Sequence, residues 1–80
     1  MDFHLKGHTY KLLIGSDIIR DGMYLEVENP VDDVNPLFDI FYSDQTDELF
    51  ITAFKENIPL EVMEWAISIA KLRLVPAHLR

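Results

Sequence analysis

No cysteine occurs in this 80-residue sequence, which excludes a disulfide framework and any thiolate metal site. A chain of this size buries only about 60% of the surface that its unfolded form exposes, so its core has neither supplement on which small domains often rely. Glycine is scarce. Gly7, Gly15 and Gly22 stand apart, and none belongs to a phosphate-cradling loop. No apolar run approaches the roughly 18 residues of a membrane span. The opening "MDFHLKGHTY" lacks the basic stretch and following apolar run of a secretory signal. These absences predict a single domain over residues 1–80 that is soluble, cytoplasmic and without membrane contact, and a cysteine-free chain fits a reducing compartment.

Positive charge is also in short supply. Seven Lys and Arg stand against fourteen Asp and Glu, a formal net of −7. Between Asp21 and Glu64 there are twelve acids and one base, Lys55, a local net of −11. Such a field opposes nucleic-acid binding, which needs cations to displace counterions. It favours encounter with a basic protein surface.

The pattern that is present predicts strands followed by a helix. "MYLEVEN", Met23 to Asn29, alternates apolar and polar residues with a period of two. "PVDDVNP" carries loop chemistry, "LFDIFYS" and "LFITAF" are strands, and "DQTD", Asp44 to Asp47, is the four-residue turn between them. In "IPLEVMEWAISIAKLRLVP" the period changes. Pro59 suits a helix start, Glu61 and Glu64 match its N-terminal end, Lys71 and Arg73 its C-terminal end, and Pro76 stops it. A helix over about 59–74 follows. Nearer the N-terminus, Asp21-Gly22 signals a two-residue hairpin that would pair "SDIIR" with "MYLEV"; the competing reading makes Ser16 the N-cap of one helical turn. "HTYKLLI" reads as a further strand or an arm, within residues 1–16. The fold class is α+β: an antiparallel meander of three to five strands with one C-terminal helix on one face.

Pairing the strands by their turns sets Tyr42 opposite Leu49, Ile40 opposite Ile51, Phe38 opposite Ala53, and Val27, Leu25 and Met23 beside Phe38, Ile40 and Tyr42. That face is apolar and should receive the helix through Met63, Ile67, Ala70 and Leu74. The other face gathers Tyr24, Phe41, Phe50, Phe54 and Leu37 among Glu26, Glu28, Asp39 and Thr52, which is not the polar exterior expected of a half-solvated sheet. Three explanations compete: a cross-strand aromatic ladder, cover by the N-terminal segment, or a recognition surface. The helix raises the same question, since Leu60, Val62, Trp65, Ala66, Ile69 and Leu72 lie outside its inward stripe. Trp65 is a candidate anchor for a partner.

Catalytic and metal-binding readings find little support. His4 and His8 have i, i+4 spacing, but Gly7 disfavours a helix there and two ligands do not make a site. Glu26 and Asp39 are expected side by side; paired carboxylates do acid–base work in clefts, whereas here no His, Arg or nucleophile is expected beside them. "SDQTDE" lacks the glycine and the terminal carboxylate of a calcium loop. Ser16 and Ser43 have no nearby His. The expectation is no enzyme, no metal and no cofactor.

In size, acidity and lack of catalytic groups the chain resembles bacterial or phage inhibitors such as toxin-immunity and anti-restriction proteins, a likeness of composition. The leading expectation is a protein-binding module that occludes a basic partner through Tyr24, Glu26, Asp39, Phe41 and Phe50, with Asp44, Asp47 and Glu48 at the turn and Trp65 on the helix. Phe41→Ala should then weaken binding without unfolding the domain. The alternative is a homodimeric structural or adaptor protein, paired through Trp65, Val62 and Ile69 of the helix.

Overall fold

Period-two alternation from the second residue onward builds one sheet. The computed structural model describes residues 1–29, 31 and 36–79. It contains strands β1 (Asp2–Leu5), β2 (His8–Asp17), β3 (Gly22–Glu28), β4 (Phe38–Ser43) and β5 (Leu49–Ala53), helix α1 (Leu60–Arg73) and a short 3-10 turn at Ala77–Leu79. The strands lie in sequence order, each antiparallel to the next. The fold is therefore α+β, as the pattern predicts, with all five strands present. The "PVDDVNP" loop falls almost wholly outside the described residues.

The expected register holds at each pair: Tyr42 faces Leu49, Ile40 faces Ile51, and Leu25 faces Ile40. The N-terminal segment is a hairpin rather than an arm. Lys6 and Gly7 both adopt left-handed backbone (φ 49° and 82°), the geometry of a tight two-residue turn, and Phe3 pairs with Tyr10.

The β2–β3 connection departs from the sequence reading. Strand β2 runs to Asp17, which pairs with Gly22, so the connection is the four residues 18–21 and not Asp21-Gly22. An Asp17 carboxylate oxygen accepts the Arg20 backbone N–H at 3.0 Å, and Asp21 takes a left-handed conformation (φ 58°), an Asx-type closure that competes well with strand pairing. Gly22 serves a different purpose from the expected one. A Cβ there would fall on the Tyr42 carbonyl oxygen and the Phe41 ring, so only glycine lets β3 approach β4 at this point.

The helix packs over β3 and β4. Its buried residues are Val62, Ala66, Ala70 and Leu74, closing over Leu25, Val27, Phe38, Ile40 and Tyr42. Ala70 and Leu74 are buried as expected, but in the first turns the stripe lies one residue earlier, at Val62 and Ala66, and Met63 and Ile67 flank it, half-buried. The small Ala66 and Ala70 allow close approach, so the larger sheet residues, each contributing about 1.5–3 kcal/mol when fully buried, lose their water. Trp65 stacks on Phe3 with ring centroids 5.0 Å apart, tying the helix flank to β1. The far strand β5 receives less cover: Ile51 is 50% exposed and Ala53 is also exposed, although both were expected beneath the helix.

The two strand glycines should respond differently to alanine. At Gly22 the new methyl meets backbone, so Gly22→Ala should cost about 3 kcal/mol or more, at or above the usual overpacking range. At Gly15 it meets only the Tyr24 ring, which can swing aside, and Gly15→Ala should cost less than about 1 kcal/mol. Chemical denaturation of the two variants measures both.

Candidate functional site

The sheet face away from the helix is built by the alternate residues of β2 to β5. Register places Gly15, Tyr24, Phe41 and Phe50 in one row and Leu13, Glu26, Asp39 and Thr52 in the next. The aromatic line and the Glu26/Asp39 pair lie where the sequence puts them. Gly15 has no side chain, and the Tyr24 ring lies over it.

What the sequence reading missed is a cation from the same chain. The four-residue turn lays Arg20 on this face, with its guanidinium carbon 4.2 Å from the centroid of Phe41. Its Nε donates to Asp17 at 2.5 Å, and its terminal nitrogen lies 3.8 Å from an Asp39 carboxylate oxygen. The expectation that no Arg stands beside the carboxylate pair is therefore corrected. Phe41, offered as an exposed recognition residue, is only 8% exposed. Replacing it would damage the packing of the fold, so Phe41→Ala is no longer a clean probe of binding. The signal was present: with Leu25 opposite Ile14 the strand ends at Asp17, and an Asp three residues before an Arg is a local turn motif.

The backbone N–H of Arg20, and then its guanidinium, hold the Asp17 carboxyl below its ordinary value of 3.8. Stability from this pairing is therefore present above that value and is lost as pH falls through the lowered one. Asp39 is buried beside Glu26. Among the described residues no hydrogen-bond donor reaches its buried Oδ1. One guanidinium thus serves a face with two neighbouring carboxylates and a third at its rim.

The turn that buries Phe41 exposes its own apolar residues. Ile18 and Ile19 are 93% and 97% exposed, the barest large apolar side chains among the described residues. They stand at the edge of a shallow hollow lined by Ser16, Asp17, Arg20, Tyr24 and Glu26. Phe50, 48% exposed, continues the face toward β5.

At the β4–β5 turn, Asp44, Asp47 and Glu48 are all exposed. Asp47 also has a structural task. It accepts the Tyr42 hydroxyl at 2.5 Å, and this bond, followed by burial, pushes the Tyr42 phenol up to about 12. Ser43 Oγ accepts the N–H groups of Gln45 and Thr46, which shapes the loop. Trp65, expected as an anchor, is half-buried against Phe3. Of the other helix residues expected at a dimer contact, Val62 is fully buried, whereas Ile69 packs against the core and stays partly exposed.

His4 and His8 sit on neighbouring strands, and His4 bonds Thr9. No cluster of three His, Cys, Asp or Glu suited to a metal occurs among the described residues, and no described helix is long and apolar enough to cross a membrane. No protein-family model, curated protein or solved structure matches the chain.

Two measurements follow from this geometry. Arg20→Ala should destabilise the fold by about 1–2 kcal/mol, the sum of a partly exposed cation–π contact and a screened ion pair. Adding Asp39→Asn should recover part of that loss, because the buried charge left beside Glu26 is removed; urea titrations of the two variants test it. Tyr42 should ionise near pH 12 in a near-ultraviolet titration and lower in Asp47→Asn. Since its folded value is raised, stability from the Tyr42–Asp47 bond is complete below the ordinary phenol value and fades as pH climbs toward 12.

Proposed function

We propose that the chain is a non-enzymatic protein-binding module whose helix-free sheet face docks on a basic protein and blocks it by occlusion. The observation that carries this reading is the bare pair Ile18 and Ile19, raised beside acidic groups on a turn that Asp17 holds in shape. Adjacent apolar side chains bordered by polar ones are the pattern of an interaction site. They would enter apolar pockets of the partner, with Phe50 alongside. A partner Lys or Arg would pair with Glu26, which lines the hollow beside the two isoleucines. The net charge of −7 supports steering toward a basic surface. Asp44 and Glu48 extend that field to the end of the sheet, and an inhibitor of a cationic enzyme is the role that fits these features best.

The expected behaviour is capture of a basic protein from extracts of the source cell by immobilised chain at low salt. Its release should follow a modest rise in ionic strength. The Ile18→Ser/Ile19→Ser double variant should fold as well as the parent, since both side chains are already in water, yet bind at least about tenfold more weakly, in line with loss of a hot spot. Capture that ignores both the salt and the double variant would overturn the reading.

A further inference from the structure

Helix α1 begins beside a hollow. The β1–β2 turn and the start of the helix border a space of about 350 Å³ lined by Leu5, Lys6, His8, Tyr10, Pro59 and Glu61. A neighbouring space of about 340 Å³ shares His8, Tyr10 and Pro59 and runs on past Ile58 and Glu56. Volumes of this order take small organic ligands. Leu5, the Tyr10 ring, Ile58 and Pro59 make the walls largely apolar.

Two kinds of unused donor meet there. Pro59 opens the helix without a side-chain cap, and it has no N–H of its own. Its carbonyl accepts the N–H groups of Val62 at 3.1 Å and Met63 at 3.2 Å. The N–H groups of Leu60 and Glu61 have no partner among the described residues, and they point back along the helix axis toward Pro59. Such an end favours a negative group. Tyr10 is the second donor and belongs to a different element. It is only 6% exposed, yet its hydroxyl has no hydrogen-bond partner among the described residues, whereas a buried hydroxyl normally has one. Among those residues Asp39 Oδ1 alone is both sealed and unpartnered. The Tyr10 hydroxyl is therefore not sealed, and it opens into the space that its residue lines.

Charge selects the ligand. Lys6, on the β1–β2 turn, has no ion pair among the described residues and adds to the donors. The carboxylates of Glu61 and Glu56 border the same space and oppose a simple anion. A molecule that carries both a carboxylate and an ammonium satisfies the two sets of groups, and the walls suit an apolar side chain. We infer that this hollow binds an α-amino acid with an apolar side chain. Its carboxylate accepts from the Tyr10 hydroxyl and from the N–H groups of Leu60 and Glu61, close to Lys6, and its ammonium faces Glu61. The site lies on the helix side of the sheet, at the other end of β2 from Ile18 and Ile19, and stands apart from the docking face proposed above.

Titration of the full chain with L-phenylalanine, followed through amide chemical shifts, should saturate below about 10 mM, an affinity within reach of so small a ligand. The amides of Leu60 and Glu61 should move most, and those of Ile18 and Ile19 should stay in place. Hydrocinnamate lacks the ammonium and phenethylamine lacks the carboxylate; each should bind at least about tenfold more weakly, as when a charged group loses its hydrogen bonds. Tyr10→Phe removes only the hydroxyl and should weaken L-phenylalanine binding about tenfold, with an unchanged circular dichroism spectrum. Glu61→Gln, at an exposed position, should reduce the preference for L-phenylalanine over hydrocinnamate severalfold. If Tyr10→Phe fails to fold, that preference and its reduction in Glu61→Gln decide. Absence of saturation, hydrocinnamate binding as tightly as L-phenylalanine, a preference untouched by Glu61→Gln, or shifts that bypass Leu60 and Glu61 would overturn the inference.

Discussion

A sheet has two faces, and this chain has one helix to cover them. Most of the architecture answers that imbalance. On one side, Ala66 and Ala70 let α1 settle closely on β3 and β4, and the larger helix residues reach outward over the flanks. On the other side a single arginine stands in for a second layer. Its planar guanidinium is weakly hydrated for a cation and stacks well on an aromatic ring, so Arg20 can shield Phe41 while also facing the carboxylates around it. A lysine could offer the charge but not the flat cover. The arrangement depends on the turn before it, where Asp17 grips both the backbone and the side chain of Arg20.

That turn shows why local chemistry and surface function are coupled here. Four residues connect β2 to β3, and two of them are isoleucines with nowhere inward to go. Once Arg20 lies flat on the face, its predecessors project into water. A segment that stabilises the fold with one side chain therefore displays two others, and the display is held by hydrogen bonds rather than by apolar packing.

Much of this was legible in the sequence. Period-two alternation and the "DQTD" turn gave strands β3 to β5, and the turn and the longer loop before β4 placed their pairs correctly, including the Glu26/Asp39 neighbours. The helix was legible from Pro59 and from charges matched to its dipole. Its rotation was not, because an apolar stripe that wraps most of a helix does not say which residues face inward; Val62 and Met63 are equivalent until the sheet is in place. The loop at 18–21 was misread because Asp-Gly is so strong a turn signal, while the deciding bond, Asp17 to Arg20, is tertiary in consequence though local in sequence. Arg20 on Phe41 could not be seen before that loop was known, and with it went the view of Phe41 as exposed. The sequence allowed three to five strands; with all five present, Phe3 on β1 meets Trp65, while Leu60 and Leu72 of the helix stay exposed.

The Phe3–Trp65 stack has a kinetic side. Each strand of a meander neighbours the next, so sheet formation closes only short loops and proceeds through contacts of low sequence separation. The stack instead joins residues 62 positions apart in the sequence, a much longer closure than that of any hairpin. Because Trp65 is the sole tryptophan, its fluorescence reports the docking of the helix against the first strand, largely apart from the zippering of the hairpins.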